Sequence, residues 1–115
     1  VLCSLDDVKE NIQKFSKNNL DLITFIKGKV EDTLVMEKNL PNKISLLRLD
    51  TDFYDSTKIE LETLFPLVVK NGVIIIDDYG HWKGQKKAVD EYMSKNKISP
   101  FLFEVDYSCR IFIKN

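Results

Sequence analysis

Two short apolar runs that end abruptly in aspartates constrain this chain more than any other feature. They are Leu46-Leu47-Arg48-Leu49-Asp50-Thr51-Asp52 and Val73-Ile74-Ile75-Ile76-Asp77-Asp78-Tyr79. An apolar run this short reads as a buried strand. Carboxylates just past two such strands fall at the carboxyl edge of a parallel sheet, where open α/β sheets bind their ligands. Several acidic oxygen donors converging there suit a hard divalent cation, magnesium above all.

The rest of the chain alternates around these runs. Residues 4–16 read as a helix, with Ser4 as N-cap, Asp6 and Asp7 in the first turn, and Leu5, Val8, Ile12 and Phe15 at helical spacing. Residues 22–26 read as a strand closed by Lys27-Gly28, and 30–39 as a short helical stretch ending before Pro41. The next strand covers 44–50. A longer helix follows, starting at Asp55 or Ser56, with Ile59, Leu61, Leu64, Phe65 and Val68 on its apolar face. Pro66 should kink or stop it, and Asn71-Gly72 reads as its terminal signal. A strand at 73–77 and a helix at 84–96 come next, with Ala88, Val89, Tyr92 and Met93 facing inward. Beyond Pro100, residues 101–105 and 111–113 form a hairpin about Tyr107-Ser108. Such alternation predicts an α/β fold: a mostly parallel sheet with covering helices and a carboxyl-terminal antiparallel hairpin.

A chain of 115 residues makes one domain, taken here as 1–115. Seventeen basic residues against eighteen acidic ones give no electrostatic case for nucleic acid or an anionic membrane as partner. No run approaches a membrane span and no signal peptide opens the sequence, so a soluble cytoplasmic protein is expected. Cys3 and Cys109 have no metal or redox spacing and read as small apolar residues in a reducing compartment. Val1 runs straight into a helix signal, which reads as a partial chain.

Asp50 and Asp52, at i and i+2, point the same way along an extended chain. With Asp55 available as cap, they call for a metal or catalytic role. Asp77 and Asp78 are adjacent carboxylates that repel each other unless a cation intervenes or the turn is fully solvated. His81, the single histidine, reads as a general base, a metal neighbour, a substrate contact or a surface loop residue. Trp82 is a pocket wall or a lid over a helix start, and Lys86-Lys87 a solvated helix face. The stretch from Gly28 to Thr33 is no phosphate loop, lacking the glycine spacing and the Lys-Ser/Thr ending. Asp50-Thr51-Asp52 also matches the DxD of haloacid-dehalogenase-like phosphatases, although Tyr54 stands where those have Thr or Val, and the metal–diphosphate DxD of glycosyltransferases. Neither accounts for Gly72 through Trp82. A catalytically inactive metal-binding fragment is a further reading.

The stretches 47–57 and 72–84, with Ser4-Leu5-Asp6-Asp7-Val8 and Ala88-Val89-Asp90-Glu91-Tyr92, resemble the macrocin-O-methyltransferase family. The resemblance implies a class I, Rossmann-like methyltransferase that uses S-adenosylmethionine and magnesium. Its acceptor would be a small molecule, methylated on a hydroxyl of a sugar in a natural product or glycan. It implies Asp50, Asp77 and Asp78 as magnesium ligands and Asp52 as general base, with Tyr79, His81 and Trp82 near the acceptor. The class I fold opens with a strand and glycine-rich cofactor loop, then a second strand ending in an acid for the ribose. This sequence has neither, so it reads as the carboxyl-terminal half of the domain and assigns no cofactor-binding residue. Residues 22–26 are then expected to pair beside 44–49. Otherwise they stay detached, leaving an open edge for self-association into a homo-oligomer.

Overall fold

The structure, a computed structural model, describes residues 3–15 and 20–115. Helix α1 spans Leu5–Phe15. Ser4 caps it reciprocally: its Oγ accepts the Asp7 N–H at 3.0 Å, and Asp7 Oδ2 accepts the Ser4 N–H at 3.1 Å. These bonds lower the Asp7 carboxyl from its ordinary value. Leu5, Val8 and Ile12 are half-buried and Phe15 is exposed, so α1 stands at the periphery with no buried residue. Ser16, expected as the helix end, lies outside the described residues.

The remaining elements are α2 (Val30–Thr33), β1 (Ile44–Leu49), α3 (Tyr54–Leu64), β2 (Val68–Ile76), α4 (Lys83–Lys95), β3 (Phe103–Glu104) and β4 (Arg110–Ile113). The sheet has the order β1-β2-β4-β3. β1 and β2 are parallel, with Leu46 opposite Val73 and Leu49 opposite Ile76. β4 runs antiparallel to both β2 and β3, as the hairpin reading required. No helix among the described residues is long and apolar enough to cross a membrane.

Residues 22–26 do not form the expected strand, and they do not pair with β1. Leu20–Leu22 is a turn of 3-10 helix and the chain then runs outside the sheet, with Leu22 83% exposed. A parallel neighbour needs a crossover of a dozen or more residues, usually a helix lying on the sheet. Here the connection offers only the single turn of α2, which packs on α3, and a 3-10 turn at Glu37–Asn39. The expected helix at 30–39 is these two separate pieces. β1 therefore remains an edge strand in the described residues.

Two boundaries also moved. Pro66 cannot donate an N–H, so α3 stops at Leu64 and Phe65–Leu67 forms a 3-10 turn. The chain enters β2 at Val68, before Asn71-Gly72, so Val68 belongs to a strand and not to a helix face. Asn71-Gly72 lies within that strand, where the register shifts between Ile44 and Leu46 of β1. Asn71 takes φ of 67°, a conformation that asparagine tolerates better than most residues. Its N–H bonds Lys114 O at 2.7 Å, and Lys114 N–H bonds Gly72 O at 2.9 Å, which holds the irregular stretch against the chain end.

The core sits between the sheet and the α3–α4 pair. Leu47, Leu49, Ile74 and Ile76 meet Leu61, Phe65, Val89 and Phe112. The alternation along β1 is strict here: Leu47 and Leu49 are buried, while Leu46 and Arg48 look outward. Each such aliphatic side chain contributes about 1.5–3 kcal/mol when removed from water.

Candidate active site

Because β1 and β2 are parallel and in step, they end together. The ladder closes with the Asp77 N–H bonding Leu49 O at 3.0 Å. The next residues, Asp50 on one strand and Asp77-Asp78 on the other, then emerge side by side at the carboxyl edge. One carboxylate oxygen from each of Asp50, Asp77 and Asp78 lies within 4.8 Å of the other two. Donors around one magnesium at about 2.1 Å lie at most about 4.2 Å apart, so this set needs only a small side-chain adjustment to hold such an ion.

The crowding has an electrostatic signature. A hydrogen bond shared with Asp77, followed by burial and the charge of Asp77, raises the Asp50 carboxyl above its ordinary value. Burial, then the charges of Asp52 and Asp77, raises that of Asp78. Arg48 faces the group as a cation: its Nη2 stands 3.2 Å from Asp50 and 3.3 Å from Asp77. These two acids raise the guanidinium's own pKa, the hydrogen bond to Asp77 first. The bridges are half-exposed and weak. The acids are thus arranged to attract positive charge and only partly supplied with it.

Asp52 bears on Asp78 from the loop after β1. Asp55 does not cap α3; Phe53 occupies the cap position without a side-chain bond, and Ser56 Oγ donates to Phe53 O at 3.0 Å. The turn after β2 is tied down by the N–H groups of His81 and Trp82, both bonding Asp78 O, and by Gly80 N–H bonding Ser108 O at 2.9 Å. A side chain on Gly80 would collide with the Tyr107 carbonyl oxygen, so only glycine allows the two turns to meet. His81 is exposed and packs edge-on against Trp82 at 4.9 Å and Tyr107 at 5.9 Å between ring centroids. Tyr79 turns instead toward α4, its hydroxyl donating to Asp90 Oδ1 at 2.6 Å. Lys86 and Lys87 are solvated as expected, pairing with Asp90 and Glu91 one turn on.

Four contributors escaped the sequence reading. Arg48 is one. The others are Thr51, Glu60 and Gln85, which join the acid-bearing loops to the helices. Thr51 Oγ1 donates to Glu60 Oε2 at 2.9 Å, and Gln85 bridges the two loops. α3 turns a partly polar inner face to the site, with Thr57, Glu60 and Leu61 buried. Their spacing at i, i+3 and i+4 was visible, but a search for apolar periodicity passes over a buried glutamate. Beside Asp50, a hollow of about 520 Å³ opens between Gly28–Glu31 and the loop after β1.

The chain matches the profile of the family described as macrocin-O-methyltransferase (TylF) over residues 1–114. It is 33% identical over 103 residues to demethyldecarbamoylnovobiocin O-methyltransferase of Streptomyces niveus, covering 90% of this chain and 38% of that protein. It is 32% identical over 102 residues to 8-demethyl-8-(2,3-dimethoxy-alpha-L-rhamnosyl)-tetracenomycin-C 4'-O-methyltransferase of Streptomyces olivaceus, covering 89% and 38%. Among solved structures it superposes on the O-methyltransferase NovP with a TM-score of 0.88 at 31% identity, covering 97% of this chain and 45% of that one. The chain thus spans less than half the length of these relatives.

Proposed function

The chain belongs to the macrocin-O-methyltransferase family, and from that premise we propose that it is the metal- and acceptor-binding, carboxyl-terminal part of an S-adenosylmethionine-dependent O-methyltransferase domain. The observation that carries this reading is the meeting of Asp50, Asp77 and Asp78 at the common end of two parallel strands. The proposed acceptor is a hydroxyl on a small glycosylated molecule, in keeping with the names of the relatives.

In this reading Asp50, Asp77 and Asp78 hold magnesium, for which three carboxylates offer the hard oxygen donors it prefers. Bound there, the ion would lower the pKa of an acceptor hydroxyl and fix its direction. Asp52 takes the hydroxyl proton on a carboxylate oxygen. It has the position for this, being next but one to Asp50 and beside Asp78 without belonging to the three-oxygen set. His81 and Trp82, exposed at the rim, offer an aromatic surface to the acceptor. S-adenosylmethionine would supply the sulfonium methyl. The described residues give it at most one wall, the hollow between Gly28–Glu31 and the loop after β1, so no residue is assigned to it.

The test is a methyl-transfer assay with labelled S-adenosylmethionine and a deoxysugar-bearing acceptor. It is run on this chain and on a chimaera in which the chain replaces its matching segment of NovP. Transfer should occur in the chimaera, require magnesium, and fall at least about 100-fold in Asp52→Asn, while magnesium affinity stays within about twofold. Full transfer in EDTA, or an Asp52→Asn chimaera working at the parent rate, would show the assignment to be wrong.

A further inference from the structure

Gln85 is wholly buried, at 0% exposure, in the first turn of α4. Its side-chain amide makes two short bonds in opposite directions. Nε2 donates to Thr51 O at 2.7 Å, and Oε1 accepts the Asp78 N–H at 2.8 Å. Thr51 lies between Asp50 and Asp52, and Asp78 belongs to the acidic cluster itself. We propose that Gln85 is a positioning residue whose amide clamps the two acid-bearing loops together and so sets the spacing of Asp50 and Asp52 against Asp77 and Asp78. This rests on the metal reading above for its purpose, though not for its geometry.

Three observations separate a clamp from a buried glutamine that merely satisfies stray backbone groups. First, the strand ladder ends at the Asp77 N–H to Leu49 O bond, so beyond it the loops have no sheet bond between them. Thr51 O takes one other, longer bond at 3.4 Å, and it comes from α3, not from the second loop. Second, glutamine is suited to this position because one end donates and the other accepts. Ionised glutamate could meet only the Asp78 N–H, and methionine neither group. Third, the adjacent Gly84 lets α4 come close enough: a Cβ there would stand 2.9 Å from Tyr54 N and 3.4 Å from Asp52 O. The helix start is pressed against the loop that carries Asp52, and Gln85 extends from it to both loops.

The experiment uses the 115-residue chain as wild type, Gln85→Met, Gln85→Glu and Val89→Ala. Val89 lies one turn on in α4, equally buried, and touches the core instead of the loops. Binding of Mn²⁺, standing in for magnesium, is followed by electron paramagnetic resonance. Amide exchange is followed by mass spectrometry in peptides covering 50–54 and 77–82. Gln85→Met should weaken Mn²⁺ by at least about tenfold and speed exchange in both peptides, whereas Val89→Ala should stay within about twofold of wild type for the metal at a similar loss of melting temperature. Gln85→Glu is read at pH 6 and pH 9: protonated, its carboxyl can meet both groups, and ionised it keeps the Asp78 N–H and loses Thr51 O, so 50–54 alone should loosen at the higher pH beyond the change seen in wild type. This one-sided response also decides the matter if Gln85→Met fails to fold. Loop exchange unchanged in the Gln85 variants, or loosened equally by Val89→Ala, overturns the proposal. Should wild type bind no Mn²⁺, the metal reading fails, and the exchange pattern alone still judges the clamp.

Discussion

Replacing Glu60 with glutamine is expected to stabilise the fold at pH 8 and to change it little at pH 4.5. Glu60 sits on the inner face of α3 with 6% of its surface exposed. Burial pushes its carboxyl from 4.5 up to about 7, opposed by the hydrogen bond from Thr51 and assisted by the charges of Glu31 and Asp50. The folded chain therefore holds a proton that the unfolded chain gives up sooner. Below pH 4.5 both states are protonated and Glu60 costs nothing through its charge. Between pH 4.5 and about 7 the unfolded state ionises while the folded state does not, so stability falls as pH rises. Above pH 7 both are ionised and the full cost is present.

The interval from 4.5 to about 7 corresponds to roughly 3 kcal/mol. Discounted for solvent screening, this becomes about 1–3 kcal/mol. Glutamine keeps an acceptor for Thr51 and carries no charge. Urea denaturation of both proteins in EDTA, at intervals from pH 4.5 to 8.5, gives the difference directly. The crowded Asp50 and Asp78 titrate in both proteins, and their contributions cancel. The stabilisation by glutamine should grow through this window and then level off. A difference that is constant across pH, or larger at pH 4.5 than at pH 8, would refute the burial account of Glu60.

Leu61→Ala removes a side chain that is 1% exposed at the centre of the core and should cost about 2–5 kcal/mol in the same urea assay; a loss under about 1 kcal/mol would mean the core can close around the gap. Gly80→Ala forces apart the turn bearing Asp77-Asp78 and the turn at Tyr107-Ser108, so titration with Mn²⁺ should show an affinity lower by at least about tenfold, and an unchanged affinity would show that the turn contact does not govern the acids.

The sequence alone determined the local grammar of this protein. Ser4 followed by Asp7 announced a capped helix, and Ser4 does cap α1. Apolar runs ending in acids announced two parallel strands with carboxylates at one edge, and the register of Leu49 with Ile76 brings those acids together. These features depend on residues near one another in the chain, or on a periodicity that one face of a strand imposes. What only the tertiary structure decided concerns partners. Residues 22–26 have strand-like side chains, but a strand exists only where a neighbouring strand takes its hydrogen bonds, and among the described residues no strand pairs with them. Asn71-Gly72 has the same composition whether it ends a helix or bends a strand; Pro66 settled it by releasing the chain early. Glu60 and Gln85 read as ordinary polar residues on amphipathic helices. They became part of the site because folding placed Thr51 and Asp78, 9 and 7 residues away in sequence, against their buried side chains. A polar group inside a fold is stable only when its bonds are met, and which groups meet them is a property of the packed chain.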